Sequence, residues 1–251
     1  MQATRSRSTR PRAVVLAAGK SSRIAGIAHD LPKPLLEIAG QSIIARNLGW
    51  LARQGVHDVW INLHYRPEEI QRTVGDGSEF GLNVNYVFEK EILGTAGGVR
   101  NIAGDWNETV LVLYGDNLIS TDLPAMEETH RSSGAAVTVA LFDQRSHPHT
   151  GIAGGTVLTD STGRITRFVE GAQANQSSLV NAGLYLLEPS VIGAISPHQF
   201  CDFGRDLFPK LQAAEVPMYG HLISGHCLGL DTPDSYRRAL EMISEGRVRL
   251  E

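Results

Sequence analysis

The sequence predicts a three-layer α/β domain built on a mostly parallel central sheet, with a mixed sheet in its second half. Three observations lead there. Buried-looking strand runs alternate with amphipathic helical segments as far as about residue 142, the rhythm of a doubly wound sheet. Beyond that point, hairpin signals replace the β–α alternation. The composition is that of an ordinary globular chain, with 42% hydrophobic residues, 26 Gly and 11 Pro in 251 residues, a length that suits one large domain.

Ala13–Ala18 (AVVLAA) is a continuous apolar run ending at Gly19, the pattern of a central parallel strand covered on both faces. Ser42–Gln54 carries Ile44, Leu48 and Leu51 at helical spacing, with Ser42 placed to cap the helix. Asp58–Leu63 reads as a second strand and Pro67–Thr73 as a short helix with proline in its first turn. Asn83–Phe88 alternates as a third strand, and Thr95 is expected to cap a helix over 96–103. Thr109–Leu113 and Ala135–Phe142 read as strands flanking a helix over Leu123–Ser132. Gly154–Thr159 and Arg164–Glu170 flank the turn sequence Asp160-Ser-Thr-Gly163 as a hairpin. Leu179–Leu187 is a strand, Phe203–Ala213 a helix, and Pro217–Leu222 and His226–Leu230 are short strands. The last helix starts at Pro233 under a Thr232 cap, with Tyr236, Leu240 and Ile243 expected on its inner face.

Charge is unevenly distributed. The chain holds 23 Lys+Arg and 27 Asp+Glu, a net −4, which disfavours a protein that coats nucleic acid by charge. Residues 1–33 carry seven bases and one acid, and the remaining 218 carry 16 bases and 26 acids. Residues 1–11 read as a flexible N-terminal extension without a secretory apolar core, leaving 12–251 as a single domain. No apolar run approaches the ~20 residues of a membrane span. Cys201 and Cys227 are too few for a disulfide framework, so a cytoplasmic setting is expected, with neither nucleic acid nor membrane as partner.

The chemistry concentrates where strands end. Leu16-Ala-Ala-Gly-Lys-Ser-Ser-Arg23 runs from the first strand into a loop of small residues, continuing to Leu31-Pro-Lys-Pro-Leu35. Backbone N–H groups in such a loop can approach an anion closely, and Arg23 and Lys33 add cationic donors for phosphates. Neither GxGxxG nor GxxxxGK[ST] is present, so this is neither a dinucleotide fingerprint nor a P-loop.

The pattern LAAGxSSR…PKPLL, matched by eleven of the residues from Leu16 to Leu35, resembles the N-terminal signature of the sugar-1-phosphate nucleotidyltransferases. That resemblance extends over nearly the whole chain and implies a Rossmann-like nucleotidyltransferase fold. It implies that Leu16, Ala17, Ala18, Gly19, Lys20, Ser21, Ser22 and Arg23 wrap the triphosphate of an incoming NTP. Arg23 would stabilise the departing pyrophosphate, and Lys33 would bridge the α-phosphate and the sugar phosphate.

Three further stretches fit the same family. Leu93-Gly-Thr-Ala-Gly97 resembles the segment that holds the nucleobase, here with Gly94 and Thr95, and Glu89 stands five residues upstream of Gly94. Related uridylyltransferases carry Gln there. An ionised carboxylate only accepts, and guanine offers adjacent N1–H and N2–H₂ donors, so GTP is the expected nucleotide. Tyr114-Gly-Asp-Asn117 follows a buried strand. Asp116 is the expected Mg²⁺ ligand, with Gly115 and Asn117 beside the substrate. Glu170 and Asn181-Ala-Gly183 resemble the sugar pocket, implying that Glu170, Asn181 and Gly183 meet the sugar.

Two departures from the family pattern stand out. Relatives often have EKP where this chain has Glu170-Gly-Ala172, so the lysine that grips the sugar phosphate is missing. The second metal carboxylate of the family falls at Gly229, while Asp231 lies two residues on. Asp231 either supplies the ligand from the same strand face or caps the last helix.

The resemblance implies that NTP and sugar 1-phosphate, of mannose or heptose type, give NDP-sugar and pyrophosphate with Mg²⁺, on a monomer or homodimer. Another nucleotide, or a cyclitol or non-sugar phosphate acceptor, is an alternative within the class. A non-catalytic NDP-sugar-binding regulator is the alternative from another class. The histidines offer no rival site: His147 and His149 read as a solvated loop pair and His64 as structural. Phe203 and Leu207 read as core.

Overall fold

A computed structural model describes residues 10–19, 31–151, 155–169 and 177–250. Among the described residues the strands are β1 (Arg12–Leu16), β2 (Glu37–Ile38), β3 (Gln41–Ser42), β4 (Asp58–Leu63), β5 (Asn83–Phe88), β6 (Val110–Tyr114) and β7 (Asn117–Ile119). They continue as β8 (Val137–Asp143), β9 (Thr156–Thr159), β10 (Ile165–Val169), β11 (Leu179–Leu187), β12 (Met218–Leu222) and β13 (Cys227–Gly229). The α-helices are α1 (Ile43–Arg53), α2 (Pro67–Val74), α3 (Gly94–Ala103), α4 (Leu123–Ser133), α5 (Pro189–Gly193), α6 (Phe208–Ala213) and α7 (Pro233–Ser244).

The main sheet runs β10-β9-β11-β6-β1-β4-β5, with β8 on β11 and β12 on β8. Strands β6, β1, β4 and β5 pair in parallel, whereas β11 is antiparallel to β6, β8 and β9. This is the mostly parallel sheet with a mixed second half that the sequence predicts. Alternation along β1 divides the core: Ala13 and Val15 pack with Leu48 and Leu51 of α1. Val14 faces the opposite layer, with Ala96 and Val99 of α3. A third cluster joins α7 to Leu36, Ile38, Leu118 and Leu228.

Local signals set most helix starts. Ser42 Oγ accepts from Ala45 N–H at the head of α1 (3.3 Å). Asp122 caps α4 from Ala125 N–H (3.1 Å). Thr232 and Ser235 form a reciprocal capping box on α7, so the helix cap is Thr232 and not Asp231.

Several expectations are corrected. Thr95 is not the cap of α3: the helix begins at Gly94, and the Thr95 hydroxyl is engaged with residues 202 and 203. The most buried residues of α7 are Ser235, Ala239 and Met242; Tyr236 and Ile243 pack against the third cluster as expected, whereas Leu240 does not and is 38% exposed. Tyr236 also donates to the Glu37 carbonyl (2.6 Å). The predicted helix over 203–213 opens with a π-helical turn over Phe203–Leu207 before α6.

His147 and His149 are pinned, not simply solvated. His147 bridges Asp143 N–H and the Ile223 carbonyl. His149 contacts the Gln144 carbonyl and accepts from Gly151 N–H. Arg10, assigned to the extension, ion-pairs with Glu127. Arg12 opens β1, pairs with Glu108 and lies 4.0 Å from the Trp106 ring centroid. Residues 1–9 lie outside the described residues. Among the described residues, no helix is long and apolar enough to cross a membrane.

Candidate active site

The chain enters at β1 and winds outward through β4 and β5 before returning to β6 on the other side of β1. Connections therefore diverge between β1 and β6, leaving a crevice beyond their C-terminal ends. Leu16 and Tyr114 are register partners there. Gly115 N–H donates to the Leu16 carbonyl (2.9 Å), and a Cβ at Gly115 would lie 2.8 Å from that oxygen. Only glycine permits this approach. The approach draws the loop after β1 and the Gly115–Asp116 turn together.

Lys33 stands in a short 3₁₀ turn between Pro32 and Pro34 and is 8% exposed. Its Nζ donates to Asp116 Oδ2 (2.7 Å) and to Asp231 Oδ1. Burial alone would lower the Lys33 pKa, but Asp116 and Asp231 outweigh it, and the pKa is raised above its ordinary value. The ammonium is therefore charged throughout the physiological range. Two carboxylates share one ammonium. Asp231 thus stands beside Asp116 at the crevice, and its carboxylate is not the end-cap of α7.

A cavity of about 350 Å³ opens over this cluster, lined also by Leu16, Ala17, Ala18 and Gly19. Ala17 N–H donates to Asn62 Oδ1 (2.7 Å), and Asn62 Nδ2 donates to Glu89 Oε1 (2.7 Å). Glu89 Oε2 accepts from Leu93 N–H (3.1 Å), and the residue is 2% exposed while lining the cavity. Glu89 thereby links the loop after β1 to the turn that starts α3. Tyr114 lines the cavity too, its ring edge-on to Tyr185 with centroids 5.7 Å apart. Burial pushes the Tyr114 pKa up to about 12, which keeps the phenol neutral.

The remaining wall is a strap, residues 199–205, of which the sequence singles out only Phe203, as core; Phe203 is indeed fully buried, in the cluster with Val14 and Val99. Cys201 N–H donates to the Leu93 carbonyl (2.9 Å), and the Cys201 carbonyl accepts from Ala96 N–H (2.9 Å) and Gly97 N–H (3.0 Å). Thr95 Oγ1 donates to Asp202 Oδ2 (3.0 Å) and accepts from Phe203 N–H (2.9 Å). Phe200, Asp202 and Arg205 of the strap line the cavity. The glycine after Ala96 is needed for this seam: a Cβ at Gly97 would lie 2.7 Å from the Gln199 carbonyl oxygen. Gly97→Ala is expected to destabilise the fold by about 1–3 kcal/mol through overpacking. Urea unfolding checks this, and an unchanged midpoint would mean that the strap is not packed as described.

Other expected site residues are not among those lining this cavity. Asn117 is buried, pairs with Gly229 across the β7–β13 ladder and reaches the Ala182 carbonyl (3.4 Å). Asn181 Nδ2 donates to Tyr185 Oη (2.8 Å), and Asn181 Oδ1 accepts from Gly183 N–H (2.9 Å). Gly183 has φ +80° and sits against Tyr114 and Asn117. Among the described residues, the cavity lining includes none of Gly115, Asn117, Asn181 and Gly183. His64 contacts the Glu89 carbonyl (2.8 Å), a structural role. Arg167 is exposed on β10. Lys20, Ser21, Ser22, Arg23 and Glu170 lie outside the described residues.

An open α/β sheet with a mixed charged cluster and small-residue loop at its switch point is the arrangement in which α/β proteins of this class bind their ligands. The sequence model of the nucleotidyl transferase family matches residues 12–245, and the chain belongs to that family. It is 34% identical over 231 residues to a mannose-1-phosphate guanylyltransferase of Mycobacterium tuberculosis, covering 90% of this chain and 62% of that protein. It is equally 34% identical over 223 residues to a UTP–glucose-1-phosphate uridylyltransferase of Synechocystis, covering 83% of this chain and 57% of that protein. The chain thus spans about three fifths of the length of these relatives. HddC from Yersinia pseudotuberculosis, solved complexed with GMP-PN, superposes with TM-score 0.77 at 22% identity, over 93% of this chain and 100% of that one. That likeness is one of fold.

Proposed function

We propose that this protein transfers a nucleotidyl group from an NTP, GTP in preference, to a sugar 1-phosphate of mannose or heptose type, releasing pyrophosphate. The observation that carries the reading is the Asp116–Lys33–Asp231 cluster at the β1/β6 crevice, beside the Leu16–Gly19 loop. An oxygen of the sugar phosphate attacks the α-phosphorus in line, and pyrophosphate departs on the opposite side. The second pKa of a phosphate monoester is about 6, so the nucleophile is ionised at neutral pH without a general base. What remains is to hold two polyanions together and offset charge at the α-phosphate. Lys33 supplies a fixed positive charge for that task.

Among the described residues, no cluster of three or more His, Cys, Asp or Glu side chains suits a metal ion. Mg²⁺, however, takes one or two carboxylates plus substrate phosphates, and two carboxylates converging on one ammonium fit that donor set. Asp116 and Asp231 would hold the ion, which when bound supplies Lewis-acid neutralisation of phosphate charge.

GTP preference is supported by the guanylyltransferase relative and by Glu89. Each Glu89 oxygen accepts one bond from the chain, from Asn62 or Leu93, and a carboxylate oxygen has a second lone pair. Those lone pairs match guanine N1–H and N2–H₂. Pyrophosphate release, measured with four NTPs against a panel of sugar 1-phosphates and Mg²⁺, tests the whole reading. The fastest turnover is expected with GTP and a manno-configured acceptor. Release from no pair would overturn the catalytic reading in favour of a nucleotide-sugar-binding regulator. Glu89→Gln is expected to reduce GTP preference by roughly 10-fold or more, since one acceptor becomes a donor facing guanine. An unchanged nucleotide profile would remove Glu89 as the base reader.

A further inference from the structure

We propose that the nucleobase stacks on Phe200, flanked by Ile92, which makes the 199–205 strap a nucleotide-binding element; this rests on the NTP-using reading above. Phe200 is 58% exposed and Ile92 46% exposed. Single exposed apolar residues are common on proteins, so exposure by itself carries nothing here. Place and rigidity do.

Both side chains line the cavity that holds Lys33, Asp116 and Glu89. The Phe200 ring lies over Gly94: a Cβ built there would be 3.2 Å from Phe200 Cε2. Gly94 has φ +75° and would also bring that Cβ to 2.5 Å from the Cys201 carbonyl oxygen. Glycine therefore leaves a floor without a side chain beside the ring. The backbone on either side of that floor is fixed. Cys201 is hydrogen-bonded to Leu93 and Ala96, and Asp202 is bonded to Thr95. Leu93 N–H in turn holds the Glu89 carboxylate. An aromatic face held open to solvent on a pinned backbone, next to a carboxylate with lone pairs to spare, is suited to a flat ring with edge donors. A purine base has that chemistry, whereas the triphosphate and the sugar phosphate do not.

Stacking of a base on an aromatic side chain is lost on truncation to alanine with a cost equivalent to about 5- to 150-fold in affinity. The test compares GTP with inorganic tripolyphosphate, both with Mg²⁺, by isothermal titration of the wild type, Phe200→Ala and Phe200→Trp. Phe200→Ala is expected to weaken GTP by that factor and leave tripolyphosphate unchanged. Phe200→Trp should keep GTP binding and show tryptophan quenching on addition of GTP. Equal weakening of both ligands, or GTP binding unchanged in Phe200→Ala, overturns the stacking assignment. Pyrophosphate release by the wild type is measured in parallel. An active wild type with an indifferent Phe200→Ala refutes Phe200 alone, whereas an inactive wild type refutes the catalytic reading, and the GTP and tripolyphosphate titrations still decide the stacking.

Discussion

Lys33→Met is expected to lower pyrophosphate release by roughly 10²–10³-fold, the range seen when one preorganised charge-stabilising donor is removed from a site. The substitution keeps the length and apolar stem of the side chain and deletes the ammonium. In the wild type that ammonium is buried between Asp116 and Asp231, with its pKa raised by them. Its charge is therefore present at every pH where the enzyme would work, and the loss should be the same at pH 6.5 and pH 8.5. Circular dichroism and the thermal midpoint identify a variant that is folded but impaired. Wild-type-like turnover in folded Lys33→Met would end the role given to this residue.

The second large effect is expected at the carboxylates. Asp116→Asn keeps the shape of the side chain and removes its charge, and turnover should fall by roughly 10²–10³-fold. Asp231→Asn separates the two readings of that residue. Thr232 and Ser235 already form the capping box of α7, so the helix does not need Asp231 as its cap. If Asp231 is a Mg²⁺ ligand, the Asn variant should require a higher Mg²⁺ concentration for half-maximal pyrophosphate release. A Mg²⁺ titration of both variants measures this. An unchanged Mg²⁺ requirement in both would remove the carboxylate pair as the metal site.

Much of the architecture was legible because its causes are local. Strands β4, β5 and β11 have the bounds their alternation or apolar runs predict. The cap at Ser42 and the box at Thr232 follow from residue type at fixed offsets from a helix start. Errors arose where a neighbour distant in sequence overrides such signals. Thr95 has the side chain of a cap, yet Asp202, 107 positions away, takes its hydroxyl. On α7, Tyr236 and Ile243 pack on the third cluster as their spacing predicts, but Ala239 and Met242 form the buried centre of that face and Leu240 is left outside it. His147 is marked by no motif, yet besides the nearby Asp143 N–H it reaches the Ile223 carbonyl, 76 positions away.

The site divides in the same way. The Leu16–Gly19 loop, Lys33, Glu89, Thr95 and Asp116 are legible from motif and spacing, and the cavity lining contains all of them. Asn62, Phe200, Asp202 and Arg205 are not legible, since no motif marks them and the fold brings them to the cavity from segments far from the Leu16–Gly19 loop in sequence. An exposed aromatic ahead of a helix has no sequence signal that separates it from an ordinary surface residue.

The uneven charge of the chain shows the same limit. By itself the sequence determined the alternation that builds the sheet, the loops at its strand ends and the residue types able to handle phosphate, because each depends on short-range spacing. Tertiary structure alone decided that Asp116 and Asp231, 83 and 198 positions from Lys33, share its ammonium. It also decided that the strap at 199–205 closes the wall beside Gly94. Those distances are set by sheet order and helix packing, which bring together charges and surfaces that no periodicity connects.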